Sequence, residues 1–316
     1  MDMWRPTARL NVLEKRARML RAARDYFAAT RTLEVETPAL SAAAATDVHL
    51  ASVQTQVCGK PAWLHTSPEY AMKRLLAAGT GDIYQIARVY RDGESGRYHN
   101  PEFTMIEWYR INHDHHQLMD DVEQLIGCLI PARCVDRSER LSYREAVNLY
   151  AQVDALNDPT PMLLGSLQQA GIDVPVDIQQ DRDALLDLIM AVVVGPKLGR
   201  HRLTFIYDYP ASQASLARIR GSVASRFEMY LDGLELANGF HELGHADEQR
   251  ARFAQDLQQR AERGLPAAPI DEHFLAALTQ GLPECAGVAV GFDRVMMCAI
   301  SAEHIDEVLT FPHDRA

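Results

Sequence analysis

No stretch of this sequence stays apolar long enough to cross a bilayer. The longest candidate, Leu185–Gly195, is interrupted by Asp187 and is far shorter than the roughly 20 residues a spanning helix needs. The N-terminus, MDMWRPTARL, has no apolar core of the kind a signal peptide uses. A cytoplasmic protein without a membrane partner is therefore expected. Cysteine is scarce: there are five, at 58, 128, 134, 285 and 298, with no CxxC pair among them. An odd number without that spacing argues against a disulfide framework and for reduced thiols. Basic residues are also short, 32 against 43 acidic, for a net charge of −11. Such a surface repels a phosphate backbone and disfavours extensive nucleic-acid binding. Internal repeats, low-complexity tracts and long Gly/Ser linkers are absent. So are GxxxxGK(S/T), a GxGxxG after a strand, and GxSxG. Any nucleotide chemistry must be carried by other groups.

What remains is an ordinary globular composition, 47% hydrophobic and 24% charged over 316 residues, enough for one large domain or two average ones. Residues 12–32 carry apolar positions at helical spacing and end before an extended LEVETP segment, Leu33–Pro38. Two strand-like runs, DIYQIARVYR and EFTMIEWYR, are joined by the polar loop DGESGRYHNP. In the second run Phe103, Met105, Glu107 and Tyr109 share a face by period-two alternation, which suggests a ligand-facing sheet. Residues 112–200 read as helical and loop-rich. Residues 226–238 read as two strands around Asp232-Gly233, a favoured hairpin turn. Residues 246–263 read as a polar helix stopped at Gly264, and GVAVGFDRVMMCAI as a strand passing into a helix. Helices bracketing antiparallel hairpins predict an α+β fold.

Two metal-like strings attract attention first. His241-Glu242-Leu243-Gly244-His245 fits HExxH, but that motif works only on a helix, where i and i+4 histidines share a face. Here it follows Asn238-Gly239, a turn or bulge signal, and Gly244 weakens a helix. A zinc protease is therefore disfavoured. Asn112-His113-Asp114-His115-His116 reads as a solvated connector, since adjacent residues rarely converge on one metal. A more dispersed set is chemically richer. Arg91 stands where a strand enters the polar loop and Arg294 at the start of the last helix, both suited to phosphate oxygens or ring stacking. Glu235 and Glu242 could hold Mg²⁺ or a substrate ammonium. Singly, each reads as an ordinary surface or structural charge.

Taken in order, LEVETP, YRDGESGRYHNPEFTMIEWYR, GLELANGFHEL and GVAVGFDR resemble motif 1, motif 2, the acidic strand and motif 3 of class II lysyl-tRNA synthetases. The match runs from about residue 12 to the end. Two differences from those synthetases stand out. The helix before motif 1 begins almost at once, so the N-terminal OB-fold that grips the anticodon in those synthetases is not expected here, and the segment YPASQASLA (209–217) departs from their pattern. Both features, with RYHNPEFTM, resemble the family of elongation factor P–(R)-β-lysine ligases.

The resemblance implies one class II catalytic domain over residues 1–316, with an antiparallel sheet flanked by helices. It also implies an ATP- and Mg²⁺-dependent ligase acting in two half-reactions: adenylation of (R)-β-lysine or lysine, then transfer to a lysine ε-amine of elongation factor P instead of tRNA. Arg91 should meet the α-phosphate, and Arg294 the γ-phosphate and one adenine face. Phe103 should stack on the other face. Asp92, Gly93, Leu236 and Gly291 complete the implied ATP site, and Glu235, with Glu242, would hold Mg²⁺ through ATP. Glu242 and Tyr109 should meet the side-chain ammonium, with Ser67, Pro68, Glu69, Asn100, Glu107 and Ala289 around the other amine and carboxylate. Where the family reads Arg-Asn-Glu in motif 2, this chain has Arg91-Asp92-Gly93, with Glu94 the next carboxylate. A homodimer through the motif 1 helix and strand is implied as well. The competing readings are a non-catalytic synthetase paralogue acting as a binding subunit, and a small lysyl-tRNA synthetase.

Overall fold

A computed structural model describes residues 4–316. The chain divides into two compact units, one running up to His113 and again from Glu242 to Ala316, the other spanning Asp114–His241.

The first unit opens with α1 (Leu10–Ala29), which buries Val12, Met19, Ala23, Tyr26 and Phe27 along one stripe, as the helical spacing predicts. Arg31 turns left-handed (φ 56°) and releases the chain into β1 (Leu33–Glu34). Next come β2 (Leu40–Ser41), β3 (Gln54–Val57), β4 (Lys60–Leu64), α2 (Glu69–Ala77), β5 (Ile83–Tyr90) and β6 (Glu102–Ile111). The polar loop expected between the last two strands lies between β5 and β6.

In the second unit, α3 (His115–Leu129) starts on a capping box formed by Asp114 and Gln117. After it run β7 (Glu139–Ser142), α4 (Tyr143–Ala151), α5 (Thr160–Gln169) and α6 (Arg182–Ile189), then β8 (Thr204–Pro210), β9 (Ile219–Arg220), β10 (Val223–Leu231) and β11 (Leu234–His241). Asp232 and Gly233 both take positive φ (55° and 79°), giving β10 and β11 their tight turn. The irregularity expected at Asn238-Gly239 sits elsewhere. Those residues pair regularly with Glu228 and Phe227, while Met229 faces Ala237 and Tyr230 faces Glu235, so Leu236 is the extra residue of a bulge. This unit has its own apolar core, in which Tyr143, Val147, Leu163, Leu186 and Ile206 are fully buried.

The chain then returns to the first unit with α7 (Ala246–Glu262), α8 (Glu272–Gln280), β12 (Cys285–Gly291) and α9 (Phe292–Ile300). Within this unit β1, β5, β6 and β12 lie side by side in that order. β1 is parallel to β5 and the other pairs are antiparallel. A small sheet, β2-β4-β3, stands apart. In the second unit the order is β11-β10-β8-β7, with β9 also on β10. Helix α9 packs on β6, and in the second unit α4 packs on β8. The α+β expectation holds. Among the described residues no helix is long and apolar enough to cross a membrane.

Candidate active site

Strand register gathers the amino-acid-site candidates of the first unit. β6 lies between β5 and β12, so Glu107 stands in a row with Gln85 and Ala289, and Tyr109 in the next with Ile83 and Gly287. Period-two alternation brings Glu107 and Tyr109 to one face, and the Tyr109 hydroxyl donates to Glu107 Oε1 at 2.7 Å. The Ser67 hydroxyl donates to Glu107 Oε2 at 2.6 Å and accepts from the Glu69 backbone N–H at 3.0 Å. Ser67-Pro68 thus leads directly into α2 and sets Glu69 in its first turn, where the helix dipole favours a carboxylate.

Lys73, one turn further along α2, was not singled out from the sequence. Its ammonium lies 2.6 Å from Glu69 Oε1 and 2.6 Å from Glu242 Oε2, with Lys73 and Glu242 each only 1% exposed. Burial works against the Lys73 charge, but the Glu242 and Glu69 carboxylates outweigh it and hold its pKa above the ordinary lysine range. Glu242 itself is anchored by its backbone N–H to the Cys285 carbonyl at 3.0 Å. A Cβ on Gly287 would fall 2.2 Å from the Tyr109 ring and 2.4 Å from Glu242 Oε1. Only glycine leaves both side chains where they are.

Among the described residues Glu107 forms no ion pair with a cation. Burial, and then the nearby Glu69 charge, pushes its carboxyl up to about 8. The folded protein therefore holds a proton there that the unfolded chain releases near pH 4.5. Stability from this group is present below that value and is lost as pH rises toward 8, by at most about 1.4 kcal/mol per pH unit. Glu107→Gln should flatten the decline in Tm of the ligand-free protein between pH 5.5 and 7.5. Parallel melting curves for the variant and the wild type would contradict this assignment.

The ATP-site candidates of the first unit lie along the β5–β6 loop and α9. Arg91 is half-buried, its backbone N–H bonded to Pro101 O at 2.9 Å. Its guanidinium stands 5.0 Å from the Phe103 ring centre and 3.5 Å from Glu94, while its Nε is buried without a partner. Asp92 and Gly93 are exposed, and Gly93 takes a positive φ of 76°, so the family's Glu position is here a turn residue. Gly291 caps α9. The neighbouring Asp293 accepts from the Thr104 backbone N–H at 2.6 Å and from Arg16 at 2.5 Å, which fixes the start of the helix carrying Arg294. Arg294 donates to Tyr98 O at 3.3 Å and to His99 Nε2 at 2.5 Å. Burial, then the Arg294 charge, lowers the His99 pKa and keeps it an acceptor.

Asn100, Glu235 and Leu236 are the remaining candidates. The Asn100 side chain is engaged locally, donating to Glu102 O at 2.6 Å and accepting from the His313 N–H at 2.9 Å. Glu235 and the bulged Leu236 lie on β11 of the second unit.

The HELGH string forms no zinc helix: β11 ends at His241, and His245 is the N-cap position of α7. Among the described residues no group of three or more His, Cys, Asp and Glu could hold a metal. The histidine run is not a solvated connector either. His115 is buried, with Nε2 3.2 Å from Asp208, and its ring lies 4.1 Å from that of His116. The Asp114 cap turns the run into a helix start, and that carries His115 inward.

Known proteins resemble this chain along its whole length. Residues 1–315 match the family model described as tRNA synthetases class II (D, K and N). The chain is 48% identical to the elongation factor P–(R)-β-lysine ligase of Vibrio cholerae, covering 99% of this chain and 98% of that protein. It is 47% identical to the protein of the same name from Photobacterium profundum, over 99% of each chain, and 46% identical to that of Salmonella arizonae, over 99% and 98%. The chain belongs to the class II tRNA synthetases of the D, K and N type, in the family of the elongation factor P–(R)-β-lysine ligases.

Proposed function

We propose that this protein is an ATP-dependent ligase that activates (R)-β-lysine and attaches it to a lysine ε-amine of elongation factor P in the cytoplasm, with no tRNA acceptor. The observation that carries the reading is the pair of carboxylates, Glu69 and Glu242, on a single built-in ammonium, Lys73, with the Glu107 carboxyl close to Glu69. A buried ammonium needs a charged partner, so a site with surplus carboxylate suits a substrate bearing two amines. The relatives' names point to the same substrate.

The residues of the first unit fit ATP. Arg91 carries a buried, unpartnered Nε, and a guanidinium is suited to phosphate oxygens. Arg91 would hold the α-phosphate and Arg294 the γ-phosphate, with Phe103 against adenine and Asp92, Gly93 and Gly291 lining the nucleotide; the resemblance assigns Leu236 an ATP-binding role as well. ATP supplies the activating phosphoanhydride. The protein's contribution is to align the substrate carboxylate and to stabilise charge that builds on oxygen. Tyr109 and Glu242 would take the side-chain ammonium, and Ser67, Pro68, Glu69, Glu107 and Ala289 the remainder. Asn100 would support this site by shaping the loop beside it.

For Mg²⁺ the fit is one-sided. Glu242 is committed to Lys73 at 2.6 Å, which suits ammonium binding and not a metal, so Glu235 is the remaining candidate ligand.

Exchange of pyrophosphate into ATP tests the function directly. It should depend on (R)-β-lysine more strongly than on lysine, and elongation factor P should gain one β-lysyl group by mass. No exchange with either amino acid would refute the reading. A homodimer is also proposed, because α1, β1 and β2 leave Leu10, Leu33 and Leu40 exposed in the segment that resembles motif 1. Light scattering should give twice the chain mass at micromolar concentration, and a monomer would count against it.

A further inference from the structure

We infer that Lys73 is a positioning residue for amino-acid binding: its ammonium, buried between Glu69 and Glu242, fixes which oxygen of each carboxylate is presented to the substrate. The inference rests on the proposed function and concerns a residue that contacts the carboxylates, not the reacting atoms.

Glu242 is fixed from two sides. Oε2 is held by Lys73 at 2.6 Å, and Oε1 lies against the β12 backbone, in space that a Cβ at Gly287 would occupy. Glu69 gives Oε1 to the same ammonium at 2.6 Å and takes its backbone position from the Ser67 hydroxyl, 3.0 Å away. Lys73 Nζ also lies 5.8 Å from the centre of the Phe274 ring, which closes its apolar side. A buried ion pair of this kind adds little stability compared with a well-packed apolar replacement. Its value is geometric: two carboxylates that would repel each other are held at set positions, each with one oxygen on the Lys73 ammonium. The substrate's ammonium groups then meet pre-aimed acceptors, and little ordering remains to be done on binding.

Lys73→Met preserves length and removes the clamp. Wild-type exchange with (R)-β-lysine is measured first; its absence would remove the proposed function and this pocket assignment with it. With wild-type exchange present, K73M should raise KM for (R)-β-lysine by about tenfold or more, with KM for ATP and kcat at saturating amino acid within about threefold of wild type. A residue serving only the fold would lower melting temperature without that split. Lys73→Arg keeps the charge but moves the donors, and should raise the same KM if K73M does not fold. A folded variant with unchanged amino-acid KM would overturn the inference while leaving the function intact. If neither variant folds, Lys73 belongs to the fold and the inference is wrong.

Discussion

Replacing Arg91 with alanine is expected to slow amino-acid-dependent pyrophosphate exchange by about 10²–10³-fold while the protein stays folded. The side chain makes few contacts that support the fold: a 3.5 Å approach to Glu94 and a face contact with Phe103 at 5.0 Å. A partly exposed pair and a cation–π contact contribute about 1 kcal/mol each or less. The loop's path is set by the backbone, through Arg91 N–H to Pro101 O and Asp92 N–H to Ala51 O at 2.8 Å, and these bonds survive the substitution. What disappears is a charged donor whose Nε has no hydrogen-bond partner among the described residues. Such a donor becomes more valuable as charge builds on phosphate oxygen. Steady-state exchange rates, with circular dichroism to confirm folding, decide the matter. An unaltered rate would make Arg91 a loop charge and would break the alignment of YRDGES with motif 2.

The second large effect is expected at Ala289. Ala289→Gly should shift preference from (R)-β-lysine toward lysine by about 10–200-fold in the ratio of kcat/KM values. The resemblance of GVAVGFDR to motif 3 sets Ala289 where lysyl-tRNA synthetases are expected to carry glycine. Here the Ala289 methyl projects from β12 directly opposite Glu107 on β6 and packs with Ala87, Val89, Met105 and Phe103. The two substrates differ by one carbon in the placement of an amine relative to the carboxylate. A methyl beside Glu107 therefore bears on where that amine can stand. Glycine in a strand costs about 0.5–1 kcal/mol, too little to unfold the protein. If the ratio moves by less than about threefold, well short of that range, Ala289 is a packing residue and the selectivity lies elsewhere.

Much of this site was legible in the sequence, because its parts are periodic. Alternation along EFTMIEWYR places Glu107 and Tyr109 on one face, and the observed 2.7 Å hydrogen bond between them needs nothing more. Lys73 was not legible. Glu69 and Lys73, four apart on a helix, have the spacing of an ordinary surface pair, and only burial by residues remote in sequence turns them into a clamp with Glu242. Gly287 was hidden for a similar reason: its meaning comes from Tyr109 and Glu242 filling the space of its absent side chain. The bulge was placed two residues too far along, at Asn238-Gly239. A turn-forming pair is tolerated in regular pairing when its partner strand already supplies the hydrogen bonds, and the extra residue proved to be Leu236. His115 misled because composition shows a polar run, whereas the Asp114 cap decides which side of it faces inward.

The first unit is interrupted between His113 and Glu242 by the whole of the second, and this has a consequence for synthesis. Strand β6 is complete by Ile111, yet its antiparallel partner β12 begins only at Cys285. At roughly 5–20 residues per second a ribosome needs about 10–35 s to cover that distance. Throughout that interval the outer edge of β6 is an open template for another chain. Glu107, beside it, must wait for Ala289, and Lys73 must wait for Glu242. Long-range closure of this kind is the slow class of folding event. The nascent protein is thus most exposed to misassembly just before β12 covers that edge and Glu242 reaches Lys73.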